Sequence, residues 1–269
     1  MTPRQIDRPQ LKAQTRELLR SAQVRPKAMA ALYLGLIAVL NLADTLAGSV
    51  SLSLLGTFVT VLTMLLGTVL NVGFVLYCMA IRRGERAEFL TLFDGFSFVG
   101  KIIGLSILQS VFIFLWSLLF VIPGIIAAYR YRFAMYNLCE NPDLSIVEAL
   151  DMSKRQTEGY KGQLFVLDLS YLGWGILASL PSTVEFFYLY LQILEDPAVF
   201  MADPTRLVPL IGSGLLMSLI IWLWSLAVQL FYLPNYQCVE LGYFDIAKET
   251  SGVGAGARPQ EGGWSGWKQ

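Results

Sequence analysis

"FVIPGIIAAYRYRFAMYNLCENP", residues 120–142, decides how this chain is threaded. It begins as the end of an apolar run, passes Pro123-Gly124, continues apolar, and then sets Arg130 and Arg132 among aromatic residues. Either it belongs to one kinked membrane span, or the chain turns back at Pro123-Gly124. Proline removes a helix donor and clashes with the preceding turn. Glycine relaxes the backbone where direction changes sharply. A Pro-Gly inside a single kinked span is also common in membrane proteins. The local residues permit both readings, and the rest of the sequence has to separate them.

The chain has 269 residues, of which 55% are hydrophobic and 15% charged. An ordinary soluble domain carries about 25% charged residues. One globular core cannot hold this much apolar material, so the composition describes a membrane protein. Net charge is zero, which leaves the placement of charges as the informative feature. Histidine is absent, and with it the commonest metal ligand and neutral-pH base. Cys78, Cys139 and Cys238 are scattered with no CxxC pair. That count suits neither a disulfide framework nor a zinc site, and a cysteine in an apolar segment usually serves as a small hydrophobe.

Residues 1–27 form a basic lead-in. Lys12, Arg16 and Arg20 share one helical stripe, and Leu11, Leu18, Leu19 and Ala22 another. Such a helix lies on an anionic membrane surface or stands as a solvated lead-in. The first span follows at 28–48; a signal peptide is the competing reading, set aside because the basic region is long and more apolar segments follow. Further spans are expected at 57–80, 102–122, 125–140, 162–181 and 208–233, since about 20 residues cross the hydrocarbon. Between them, Ser145 with Glu148 three residues on makes a capping-box start for an amphipathic helix over 145–158 ending near Gly159. "VEFFYLYLQIL", 184–194, reads as an interfacial helix within an acidic 182–207 segment. The domain plan is a cytoplasmic helix at 1–27, a transmembrane domain at 28–244, and a Gly-rich disordered tail at 245–269.

Charge decides the threading. Short cytoplasmic loops are rich in Lys and Arg. The first 27 residues carry seven basic residues, 82–101 carries four, and 140–162 contains Lys154, Arg155 and Lys161. The 44–51 connection has none and 182–207 has Arg206 alone. If 102–140 crosses once, basic segments fall on both faces. If the chain folds back at Pro123-Gly124, every basic segment is cytoplasmic. The returning limb, 125–140, is then roughly 24 Å long and tilts or crosses in part.

This threading sets Arg130 and Arg132 in or near the membrane zone. An uncompensated arginine at the bilayer centre costs at least about 3 kcal/mol. Asp168, a few residues into the next span, is the expected carboxylate partner. Independent snorkelling to interfacial water is the alternative, and an anion-binding or proton-relay site a third reading.

"LKAQTRELLR", "LFDGFSFVGKIIGL" and the run from "FLWSLLFVIPG" through "SIVEALDMSKRQTEGYKGQLFVLDLSYLGW" resemble the DUF975 family of bacterial integral membrane proteins. The resemblance is densest from Pro123-Gly124 to Lys161. It implies a multi-span helical fold in the bacterial cytoplasmic membrane, with no catalytic residues to carry over.

No enzyme motif stands out. "GVGAGA", 252–257, follows no strand and opens no helix, so it is not a phosphate loop. Asp94, Glu140, Asp143, Glu148 and Asp151 lack the spacing of a cation site and read as a solvated acidic face. The inner-face basic residues suit anionic lipid headgroups, and nothing beyond that charge favours nucleic acid. The expectation is an all-α polytopic bundle of about six membrane segments with both termini cytoplasmic, no cofactor and no catalysis. A scaffold or accessory protein docking on lipid or a protein partner is the first reading. A small transporter or lipid-handling protein is the second, because broken helices and buried charges mark transport sites.

Overall fold

The structure is a computed structural model that describes residues 4–22, 24–49, 53–195 and 215–254. Among these the regular structure is helical throughout. Among the described residues, four helices are long and apolar enough to cross a membrane: Pro26–Ala47, Leu54–Arg83, Phe89–Leu119 and Lys161–Tyr188. The chain divides into two bodies, one of residues 1–167 with 234–269, the other of residues 168–233.

In the first body, α1 (Arg8–Ser21) starts at Asp7, whose carboxylate accepts the Gln10 N–H. Sequence left this helix on lipid or in solvent. Instead Ile6, Leu11 and Thr15 are buried, and Leu11 packs over Gly242. The residues before α1 are also tied down. Arg4 N–H donates to the Tyr160 hydroxyl at 3.0 Å, and Gln163 accepts from Ile6 N–H at 3.1 Å while donating to the Arg4 carbonyl at 3.2 Å.

Helices α2 (Pro26–Ser49), α3 (Ser53–Arg83) and α4 (Val99–Leu119) follow, with a 3-10 helix at Phe89–Phe98. Each long helix has one packed end and one bare apolar end. Met29, Ala30, Phe74, Tyr77, Ile102 and Leu105 are buried, whereas Leu46, Leu54, Phe58, Phe114 and Leu118 are exposed. At the packed end Tyr33 stacks on Phe74 at 5.0 Å. There the 3-10 helix lies against α3 so closely that a Cβ on Gly73 would sit 1.8 Å from the Leu92 carbonyl oxygen.

The decisive stretch forms two short helices, α5 (Val121–Arg130) and α6 (Ala134–Glu140). The helix is interrupted at Phe120, in extended backbone, and not at Pro123-Gly124. Pro123 occupies the first turn of α5, where its missing N–H leaves no helix bond unmade. Gly124 is needed for proximity: a Cβ there would lie 2.1 Å from Ser117 Oγ. Phe112 stacks on Tyr131 at 5.7 Å, so α4 and α5 lie side by side. The returning limb is not one helix: Tyr131–Phe133 separates α5 from α6. With ten residues, α5 is only about 15 Å long. Helix α7 (Ile146–Gln156) opens at Ser145, whose hydroxyl accepts the Glu148 N–H at 3.2 Å.

Helices α8 (Lys161–Glu195) and α9 (Leu215–Ser251) enter both bodies, with residues 168–195 and 215–233 in the second. The expected stop at 181 and separate interfacial helix are not seen, because α8 runs through Pro181. Proline cannot donate to the carbonyl four residues before it. That carbonyl, Leu177 O, accepts Trp224 Nε1–H at 2.9 Å, so the interruption is satisfied inside this body. Tyr232 packs with Tyr171 and Trp174 there. Residues 208–214 of the expected last span, and 196–207 of the acidic segment, lie outside the described residues.

The expected disordered tail also starts too early. Helix α9 continues to Ser251 because Phe244 and Ala247 are buried, and Gly252, at φ 66°, ends it. Residues 255–269 lie outside the described residues.

Candidate functional site at the break between α5 and α6

Ending α5 at Arg130 frees backbone polar groups that an apolar environment cannot satisfy. Helix α7 supplies the partners. The Arg130 carbonyl accepts from Ser153 Oγ at 2.9 Å and Thr157 Oγ1 at 3.2 Å, and Ser153 Oγ accepts the Phe133 N–H at 3.1 Å. Ser153 and Thr157 are fully buried, and their spacing of four places both hydroxyls on one face. One turn further, the side-chain amides of Asn137 and Gln156 exchange two hydrogen bonds of 2.8 Å. Gln156 also donates to the Val253 carbonyl at 3.2 Å, which holds the end of α9 against α7.

Charged groups ring this hub. Arg132 pairs with Glu240 at 2.5 Å, donates to the Tyr236 hydroxyl, and lies 5.3 Å from the centre of the Tyr129 ring. Glu240 is 4% exposed, a burial an ionised carboxylate tolerates only when paired. Gln237 donates to the Tyr136 hydroxyl at 2.9 Å. Glu140 receives Arg83 at 3.0 Å and Lys248 at 2.7 Å. Arg82 binds Asp245 at 2.7 Å and donates to the Cys238 carbonyl at 3.1 Å. Lys101 Nζ reaches the Pro142 carbonyl at 2.5 Å. The ends of α3, α6 and α9 and the start of α4 therefore meet at one pole.

The sequence-derived residues are distributed unevenly over this arrangement. Arg132 is in the hub, paired with Glu240. Asp168 opens the second body. Arg130 contributes its carbonyl, and its half-buried guanidinium has no hydrogen-bond or ion-pair partner among the described residues. Pro123 and Gly124 shape the start of α5, and Ser145 caps α7. Of the acidic residues weighed as a cation site, Glu140 is taken by two cations. On α7, the hydrogen bond from Lys154 and then its charge hold Asp151 below the usual carboxylate range. Glu240, Asn137, Gln156 and Gln237 were missed. The available signal was spacing: Tyr236 and Glu240, and Gln237, Leu241, Phe244 and Lys248, recur at helical intervals beyond the last expected span.

Helices long and apolar enough to cross a membrane, with a polar, ion-paired pole in the first body, suggest a helical membrane protein. Residues 118–233 match the family model described as "Protein of unknown function (DUF975)". Over that segment, which includes α5, α6, α7 and the apolar parts of α8 and α9, the chain is similar to this family. No curated protein and no solved structure matches the chain.

Proposed function

We propose that the chain is a six-segment protein of the bacterial cytoplasmic membrane, with its polar pole and both termini on the cytoplasmic side, acting as a non-catalytic scaffold or accessory protein. The fourth segment is the limb of α5 and α6 returning beside α4, and the sixth is the apolar part of α9. The observation that carries this reading is the Lys101–Pro142 contact at 2.5 Å, supported by the Arg83–Glu140 pair at 3.0 Å. The chain leaves one pole at the start of α4 and is back beside it at the end of α6. That agrees with the confinement of Lys and Arg to one face. Occupancy supports the scaffold role: the broken backbone is capped by Ser153 and Thr157, and Arg132 is held by Glu240 and Tyr236. The transport reading needs these groups to line water.

Amide hydrogen exchange in a lipid bilayer tests this. Residues 131–139 and 237–241 are expected to stay protected as long as the most protected segments of α3. Exchange there as fast as in exposed loops would put water in the hub and favour transport.

A further inference from the structure

Between the N-terminal arm and the first turns of α8 lies an open cleft of about 340 Å³, lined by Gln5, Ile6, Arg8, Gly162, Gln163 and Val166. Its walls are of two kinds. Ile6 and Val166 are apolar, Gln5 and Gln163 carry amides, and Arg8 brings a full positive charge. No carboxylate lines it. In the adjoining hollow, formed by Gln5 to Pro9, Asp7 is engaged in capping α1. Among the described residues, Arg82, Arg83 and Arg132 at the pole are matched by carboxylates, whereas Arg130 is not. Arg8 has no hydrogen-bond or ion-pair partner among the described residues.

The cleft is held in shape. Gln163 grips the arm through Ile6 and Arg4, and Tyr160 joins Arg4 to Thr250, the last of these bonds being 3.0 Å. Its height on the molecule is also informative. The membrane-compatible stretch of α8 begins at Lys161, and Phe165, one turn on, is already 50% exposed. The cleft therefore sits where α8 passes from the polar pole to bare apolar surface, the level at which lipid headgroups lie.

We infer that this cleft holds the headgroup of an anionic phospholipid, with Arg8 on the phosphate and Ile6 and Val166 against the start of the acyl chains. Unpaired charge, an amphipathic lining and headgroup height are all met by that ligand class. An arginine suits it because its fork of donors matches phosphate oxygens. The inference rests on the membrane reading of α8.

The test reconstitutes the full-length chain into phosphatidylcholine vesicles containing spin-labelled phosphatidylglycerol or spin-labelled phosphatidylcholine and measures the immobilised fraction of each label. The wild type is expected to prefer phosphatidylglycerol by about tenfold, the scale of one charge-assisted hydrogen-bonded contact. Arg8→Gln should abolish most of that preference, Arg8→Lys should retain part of it, and Arg25→Gln, an exposed basic residue off the cleft, should leave it intact. Equal losses in Arg8→Gln and Arg25→Gln would reduce the effect to diffuse surface charge and overturn the site. Displacement of the label by millimolar inorganic phosphate would make it a free-phosphate site and overturn the lipid assignment. Insertion without any preference refutes the cleft alone, whereas failure of the folded wild type to insert refutes the membrane reading as well.

Discussion

Gly73→Ala is expected to lower the thermal midpoint of the detergent-solubilised protein by about 6–12 °C, corresponding to roughly 3 kcal/mol. The added methyl would sit 1.8 Å from the Leu92 carbonyl oxygen, a backbone atom with no rotamer to change. The 3-10 helix would have to move off α3. The same contact with α3 is tight at Gly95, where a Cβ would lie 2.8 Å from the Val69 carbonyl oxygen. Two glycines thus set one close backbone approach. Gly100→Ala is the control: nothing lies within 4 Å of its Cβ position, and in a helix alanine is favoured over glycine by about 1 kcal/mol. That variant should hold or raise the midpoint. Equal effects at the two positions would contradict the packing described.

The second large effect is expected at Glu240. Glu240→Leu leaves Arg132 without its buried carboxylate, and breaking such a pair from one side costs about 3–5 kcal/mol. Removing both charges avoids most of that penalty, because desolvation of the pair largely cancels its attraction. Arg132→Met combined with Glu240→Leu should therefore recover most of the stability lost in Glu240→Leu alone. Midpoints of the two single variants and the double variant close the cycle. A silent Glu240→Leu would show that Arg132 is neutralised by another group. An additive double variant would show that the two residues do not act as a pair.

These predictions also mark where sequence reasoning stopped. The apolar segments were legible because their length and lack of charge are one-dimensional properties. The reversal between α4 and α6 was inferred from the placement of Lys and Arg, which needs no contact information. The helix break itself lies at Phe120, three residues before Pro123, although proline and glycine read as the turn itself. The structure uses Pro123 to start a helix and Gly124 to let Ser117 approach. Nearness in sequence and similar depth point to Asp168 as a partner for Arg130 or Arg132, but not to Glu240. Glu240 lies 108 positions away on a helix that continues past its apolar part, and no periodicity within either segment links the two. The capping of the α5–α6 break by Ser153 and Thr157 was hidden for a related reason. Ser153 and Thr157 carry no motif within the amphipathic 145–158 segment, and only tertiary contact turns their hydroxyls onto the break. The extra length of α8 through Pro181 depended on a tryptophan from another helix, Trp224.

The central claim is that the segment after α3 and the segment after α6 face the same compartment. Arg86→Cys and Asp143→Cys address it directly, because both native residues are exposed and the three native cysteines are buried. In sealed vesicles of known orientation, a membrane-impermeant maleimide should label both positions from the cytoplasmic side and neither from the other. Labelling of residue 86 from one side and residue 143 from the opposite side would mean that α4 to α6 crosses the bilayer once, and the arrangement described would be wrong.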